Sequence, residues 1–383
     1  LKSESIYLDY NATTPCDQRV IDGMLPFFNT HFGNAASHHH SFGFYAEEAV
    51  EHARNNIAKL VGSKPGEIIF TSGATESINL VLRGLQNYAS KKGKHIITWA
   101  TEHKAVLETL SWLENQGYEV TVLPVDQQGQ PDLETLKVSI RRDTILVVMM
   151  MANNETGVMM PVREVVKLVH PYEILTLCDA TQAVGKVPMD LKSLGADFVA
   201  FSAHKFYGPK GAGALYIAGG SNKTNLEPLL TGGGHEANIR SGTVNVPGIV
   251  GMGLAAEIAI TSLSEDVKRI GGLRDHFVSE LIKTGVVEPN FGSSTLLPNT
   301  ANLRFNFQGS DLLLQKISSK VAASSGSACS SVVQKPSHVL KAMGLTDQQA
   351  LSSIRFSLGK FTTKSELDRA VEIITEKINS IKN

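Results

Sequence analysis

The chain has 383 residues, with 36 Lys+Arg against 37 Asp+Glu for a formal charge of −1, and it is 42% hydrophobic and 19% charged. That balance excludes wholesale disorder and any basic field for direct nucleic-acid or anionic-membrane binding, while the length suits a large core plus a second, smaller domain. Cys16, Cys178 and Cys329 are too few and too scattered for a disulfide framework. With no signal-peptide stretch and no apolar run near the ~20 residues of a membrane span, the expectation is a cytoplasmic protein.

Residues 1–15 read as an extended arm ending at Pro15. Apolar positions from Tyr45 to Val61 keep helical spacing, with Gly62 suited to the C-terminal cap. The strand Glu67–Phe70 leads through Thr71–Glu76 into a helix reaching Leu85. A tight strand-to-helix turn leaves backbone N–H groups unpaired at a positive helix end, which suits a phosphate; an ordinary capped helix fits equally. Further strands are predicted at His95–Trp99, Glu119–Leu123, Thr144–Met150, Ile174–Cys178, Phe198–Phe201 and Ala214–Ile217, alternating with helices at Lys104–Gln116 and Pro161–His170. This alternation predicts an α/β fold with a mostly parallel sheet and right-handed crossovers. After a helix near Val246–Ile260 the character changes. Residues 300–307 and 353–358 alternate strictly, as in strands with one wet face, Arg355 falling on it. The last helix, from Leu367 to Ile381, opens with the capping-box spacing Thr363…Glu366. The expected domains are 15–260, and 1–14 with 261–383 as a smaller α+β unit.

Open parallel sheets bind ligands beyond the carboxyl ends of their strands, so the residues there matter most. They are Gly73-Ala74-Thr75, Thr101-Glu102-His103, Asn153-Asn154-Glu155, Asp179-Ala180-Thr181-Gln182 and Ser202-Ala203-His204-Lys205. Singly, His103 reads as a surface histidine, Asn154 as a turn former, Asp179 as a helix cap and Lys205 as a solvated turn residue. Jointly they supply five strand ends to one rim. A lysine at the mouth of a buried strand is partly desolvated, which lowers its pKa and makes the nucleophilic amine accessible, as a Schiff-base lysine requires. Downstream, Ala322–Ser331 is small and polar throughout. It predicts a mobile loop, about 322–333, carrying an accessible thiol, Cys329, as candidate nucleophile.

Together Ser202–Gly211, Gly232–Glu236 and Ser324–Cys329 resemble the cysteine desulfurases of the NifS/IscS type, long-loop subgroup, within the class V branch of fold-type I pyridoxal 5'-phosphate (PLP) enzymes. The likeness runs from Tyr7 to Gly359. It implies the fold-type I PLP-dependent transferase fold, with a large, mostly parallel seven-stranded sheet domain beside the α+β one. It also implies a Schiff base between Lys205 and PLP, Asp179 on the pyridine nitrogen, Gln182 on the ring hydroxyl and His103 stacked on the ring. The phosphate would take Ala74 and Thr75 N–H groups, Ser202, His204 and Thr243 of a second subunit, hence a homodimer with shared active sites. Asn154 and Arg355 would grip the substrate carboxylate.

The implied reaction converts L-cysteine to L-alanine and passes sulfur, as a persulfide on Cys329, to an acceptor protein. Lys205 would remove the Cα proton and His103 serve as acid/base at the substrate sulfur. Three acceptor pathways fit: iron–sulfur cluster assembly, tRNA thiolation and DNA phosphorothioation. The chain ends soon after its last helix, where housekeeping IscS-type proteins have a longer tail that helps contact the iron–sulfur scaffold. His38-His39-His40 is not expected to form a metal site, because adjacent histidines cannot all face one ion. The rival readings are a selenocysteine lyase, a class V aminotransferase, and a non-catalytic sulfur-relay subunit.

Overall fold

The structure, a computed structural model, describes residues 5–221, 226–292, 295–325 and 335–382. Cys329 lies outside the described residues. Strands occur in chain order as β1 (Ile6–Tyr7), β2 (Ile68–Thr71), β3 (His95–Trp99), β4 (Glu119–Leu123), β5 (Thr144–Met150), β6 (Leu175–Asp179), β7 (Phe198–Ser202), β8 (Gly213–Ile217), β9 (Val287–Pro289), β10 (Thr300–Phe305), β11 (Val321–Ala322) and β12 (Ser353–Ser357). The run forming β5 is apolar apart from its first residue and is buried along its whole length. It lies inside a seven-stranded sheet of order β2-β8-β7-β6-β5-β3-β4, in which β8 runs opposite to the other six.

Alternate residues of these strands feed apolar layers on the two faces. Val147, Met149, Val199 and Phe201 join one core, and Leu146, Val148, Phe198 and Ala200 the other. Period-two side-chain alternation with both sets apolar is what a sheet covered on both faces requires. The expected α/β architecture is therefore present, with strand ends within a residue of those predicted for most strands.

Strands β12, β10 and β9 form a small antiparallel sheet over a third core, built on Phe277, Leu303, Phe305 and Phe356. The N-terminal arm joins it, β1 pairing in parallel with β11 and Leu8 lying in that core. Two expectations need correcting here. The helix beginning at Val246 runs on to Ile282. Its first half packs Val250, Met252 and Ala256 into a core beside the large sheet, and its second half packs Ile270, Phe277 and Leu281 into the third core. Leu263, Val267, Ile270, Phe277 and Leu281 keep helical spacing; only the width of the apolar stripe narrows. By length and composition this helix would also pass as a membrane span, contrary to the reading that no apolar run comes near that length, yet half of its apolar window is buried inside the fold.

The second correction concerns the alternating strands. Every residue of β12 is buried, and in β10 only Arg304 is not fully so. Their polar face, with Thr300, Asn302, Ser353, Arg355 and Ser357, is covered by the large sheet's loops and the arm instead of water. Asn302 Nδ2 donates to Glu155 O at 3.1 Å, Asn11 Nδ2 to Thr300 Oγ1 at 2.8 Å, and Asn11 N to Ser357 Oγ at 2.9 Å. Buried polar groups persist where each finds a partner. Lys360 pairs with Asp17 across the same junction, the two side chains only 10% and 5% exposed.

Candidate active site

At the carboxyl ends of β2, β5, β6 and β7 opens a cavity of about 330 Å³, within the ~300–1,000 Å³ range of small-molecule sites. Its walls include ten of the predicted residues: Ala74, Thr75, His103, Asn154 and Asp179, with Gln182, Ser202, His204, Lys205 and Arg355. Thr243 is exposed and is not among the lining residues.

The local fold explains the convergence. Strand β7 ends at Ser202 and the chain turns through a short 3₁₀ segment, Ala203–Lys205. Strict strand alternation would send Lys205 away from Ser202 and His204; the turn brings all three to one cavity. The helix Ala74–Gly84 starts straight after β2, and Ala74 N donates to Ser202 Oγ at 2.7 Å. Such close approach demands glycine opposite: a Cβ on Gly213 would lie 2.4 Å from Gly73 Cα.

Lys205 Nζ donates to two main-chain carbonyls of the arm, Asn11 O at 2.6 Å and Ala12 O at 2.8 Å. Both acceptors are neutral. Burial, then the Arg355 guanidinium, push its pKa down to about 8, against the opposing pull of Asp179 and Asp9. At pH 7 roughly a tenth of the amine is then neutral, far more than for an ordinary lysine. His204 is pushed down to about 4 by burial and by Lys205, so it stays neutral, its Nδ1 3.1 Å from Thr13 Oγ1.

His103 is exposed, yet desolvation on its cavity side lowers its pKa, Asp179 opposing. Its Nδ1 accepts from Ala105 N at 3.1 Å, capping the helix Lys104–Glu114, so the neutral ring carries its proton on Nε2. Asp179 ends β6, buried, with Oδ1 accepting from Thr181 N at 2.9 Å.

Arg355 is 4% exposed. Its guanidinium donates to Asn154 O at 2.9 Å and to Asp9 Oδ1 at 2.6 Å, and its buried Nε has no partner among the described residues. Thr181, which also lines the cavity, has its Oγ1 likewise buried and without a partner among the described residues. Orphaned polar atoms beside a cavity mark donors waiting for a ligand.

Sequence reading missed Asn11. Its carbonyl receives Lys205 and Gln182, its Nδ2 donates to Asn154 O, and its Oδ1 receives Lys186 and Asn299. Nothing local signals this, because every partner is more than a hundred residues away. The three successive histidines diverge: His38 faces Glu47 and His40 caps the helix Ser41–Val61.

PLP fits this donor set. An amine of lowered pKa suits its aldehyde, a buried carboxylate its ring nitrogen, and a helix N-terminus with Ser202 and neutral His204 its phosphate. The comparisons with known proteins agree. The aminotransferase class-V family model matches residues 6–370. "Cysteine desulfurase IscS" of Anaeromyxobacter sp. (strain K) is 46% identical, covering 98% of this chain and 93% of its own. A solved "NifS-like protein" superposes with a TM-score of 0.91 at 40% identity, covering 98% and 99%. A structure titled "SspA in complex with cysteine" superposes with a TM-score of 0.81 at 33% identity, covering 94% and 100%. The chain belongs to the class-V aminotransferase family, in its NifS- and IscS-like cysteine desulfurase branch, and is a PLP-dependent enzyme.

Proposed function

We propose that this protein takes sulfur from L-cysteine, releasing L-alanine, and passes it as a persulfide on Cys329 to an acceptor protein. One observation carries the reading: an amine with its pKa lowered to about 8 shares a cavity with a buried carboxylate and a buried guanidinium bearing an unused donor. PLP, when bound, supplies an aldehyde for amines and a ring that withdraws electrons from the substrate Cα.

The chain's residues do the rest. Asp179 holds the ring nitrogen and Gln182 the ring oxygen. Ala74 and Thr75 N–H groups, Ser202 and His204 hold the phosphate. Asn154 and Arg355 take the substrate carboxylate, fixing the Cα–H bond toward Lys205. Lys205, which has no carboxylate hydrogen-bond partner among the described residues, accepts that proton and returns it on the way to alanine. His103, its proton on Nε2, stands on the cavity wall where it can exchange a proton at the substrate sulfur. The Cys329 thiolate attacks that sulfur, so an S–S bond forms as the C–S bond breaks.

The test is product analysis. Cysteine with a reducing thiol and no keto acid is expected to yield alanine and sulfide in equal amounts. Turnover that depends on a keto acid would replace this reading with transamination.

Arg355→Ala is expected to raise KM for cysteine by roughly 30- to 1,000-fold, the equivalent of about 2–4 kcal/mol for truncating one partner of a buried charge pair. Asp9, its side chain 20% exposed, keeps access to water, so the variant should still fold. A KM within threefold of wild type in steady-state assays would remove Arg355 from the substrate site.

The working form is a homodimer with shared active sites. Leu25, Phe28, Phe32, Phe42 and Phe44 are each more than half exposed within twenty residues of sequence, the kind of patch that associates. Thr243 of the second subunit would complete the phosphate site. The third apolar core is read as a small domain of residues 1–14 and 261–383 against a large one of 15–260. The acceptor is a scaffold or thiolation protein in the cytoplasm.

A further inference from the structure

Lys186 has no role in the reading above, although it lies four residues beyond Gln182, after β6. Solvent reaches part of its stem, but its amine end is enclosed. Nζ donates to Gln182 Oε1 at 2.6 Å and to Asn11 Oδ1 at 3.0 Å. Among the described residues no carboxylate is hydrogen-bonded to it. Burial, with Lys205 and Arg355 nearby, pushes its pKa well down. Both of these contacts are made to side-chain carbonyl oxygens, which can only accept.

Those contacts set the direction of a chain of amides. Gln182 Nε2 donates to Asn11 O at 2.9 Å, the carbonyl that also receives Lys205 Nζ at 2.6 Å. A main-chain carbonyl can only accept, so the nitrogen end of Gln182 must face it and the oxygen end must face Lys186. Asn11 Nδ2 donates to Asn154 O at 3.2 Å, which turns Asn11 Oδ1 toward the same amine. Gln182 lines the cavity and its Nε2 has a second N–H. The ligand atom this suits is an anionic oxygen.

We infer that Lys186 is a positioning residue acting through Gln182 and Asn11, fixing the donor end of Gln182 for the cavity and the carbonyl from which Lys205 hangs. The inference rests on the PLP reading above, in which the oxygen is the ionised ring oxygen of the cofactor. Without Lys186, Gln182 Oε1 loses its donor among the described residues, and the amide is held only at its Nε2 end by Asn11 O. The ring oxygen then loses a fixed N–H and holds a proton more tightly.

The test uses PLP-loaded enzyme and reads the pH midpoint of its visible absorbance. The charged or titratable groups lining the cavity, Lys205, Arg355, Asp179, His103 and His204, stay unchanged in every variant. Lys186→Met is expected to move the midpoint upward by about one pH unit, the size of shift a lost hydrogen bond or nearby charge produces. Gln182→Ala should move it similarly, and the double variant no further, because residues in one network are not additive. Lys186→Gln keeps an N–H donor and should retain most of the wild-type midpoint; it also serves if the Met variant does not fold. An unmoved midpoint in Lys186→Met, full additivity with Gln182→Ala, or a Gln variant shifted as far as Gln182→Ala would overturn the inference. A wild-type protein that takes up no PLP overturns both this inference and the reading beneath it, whereas an unmoved midpoint in a PLP-loaded variant overturns the inference alone.

Discussion

Lys205→Ala protein is expected to lose cysteine turnover by about 10⁴-fold or more, equivalent to ~5.5 kcal/mol of barrier at 1.36 kcal/mol per decade. Removing Nζ removes both the amine that anchors PLP and the base that lifts the Cα proton, and no neighbour replaces it. Lys186 Nζ is committed to Gln182 and Asn11, and the Arg355 guanidinium does not lose its proton in proteins. The same logic predicts that Lys205→Arg is as inactive as Lys205→Ala although it keeps the charge. Ethylamine added to the alanine variant should restore part of the activity by supplying a free base. A further consequence follows from the pKa of about 8. Only the neutral amine attacks an aldehyde, so the rate of PLP uptake by apoprotein should climb as pH rises toward 8 and level off above it. Stopped-flow absorbance reads that profile. A Lys205→Ala protein that turns over cysteine at even a tenth of the wild-type rate would dismiss the lysine from the chemistry.

How much of this was legible in the chain depended on how local each signal is. The runs at His95–Trp99 and Thr144–Met150 match β3 and β5 end to end, because burial on both faces leaves a continuous mark in the sequence, and Glu119–Leu123 matches the edge strand β4, which is largely exposed or half-buried. Gly62 caps its helix with φ of 66°, a conformation glycine adopts without steric cost. The polar residues at strand ends were found by their position alone. The alternation in Ser353–Ser357 was read correctly as two-faced, but a polar face looks the same in sequence whether it meets water or another part of the protein. Here it meets Asn11 and Asn154, and Arg355 is buried where a wet face was expected. Asn11 and Lys186 were invisible for a related reason. An asparagine in an arm and a lysine after a turn are ordinary until residues 11, 182, 186 and 205 are brought together.

Cys329→Ser should separate sulfur transfer from everything Lys205 does. Cys329 stands five residues beyond Ser324, whose backbone exchanges two hydrogen bonds with Arg355 at 2.7 and 3.1 Å. It stands eight before Ser337, whose hydroxyl bonds Glu155 beside Asn154. Its neighbours on both sides are thus tied to the elements proposed to grip the substrate carboxylate. The serine variant keeps all ten predicted residues that line the cavity, so it should bind PLP with the wild-type spectrum. Mixing with cysteine should still change that spectrum, because the substrate amine and carboxylate meet the same partners. What it loses is the acceptor for sulfur: a serine hydroxyl is scarcely ionised near pH 7, where a thiol with pKa ~8.5 supplies a usable thiolate, and serine cannot hold a persulfide. Alanine and sulfide formation are therefore expected to fall together by about 10³-fold, ~4 kcal/mol at 1.36 kcal/mol per decade. The two failures differ in kind, since Lys205→Ala should lose the substrate-induced spectral change as well as the products. Alanine released by Cys329→Ser at the wild-type rate would show that the C–S bond breaks without this thiol and would move the chemistry toward a lyase that expels sulfur directly.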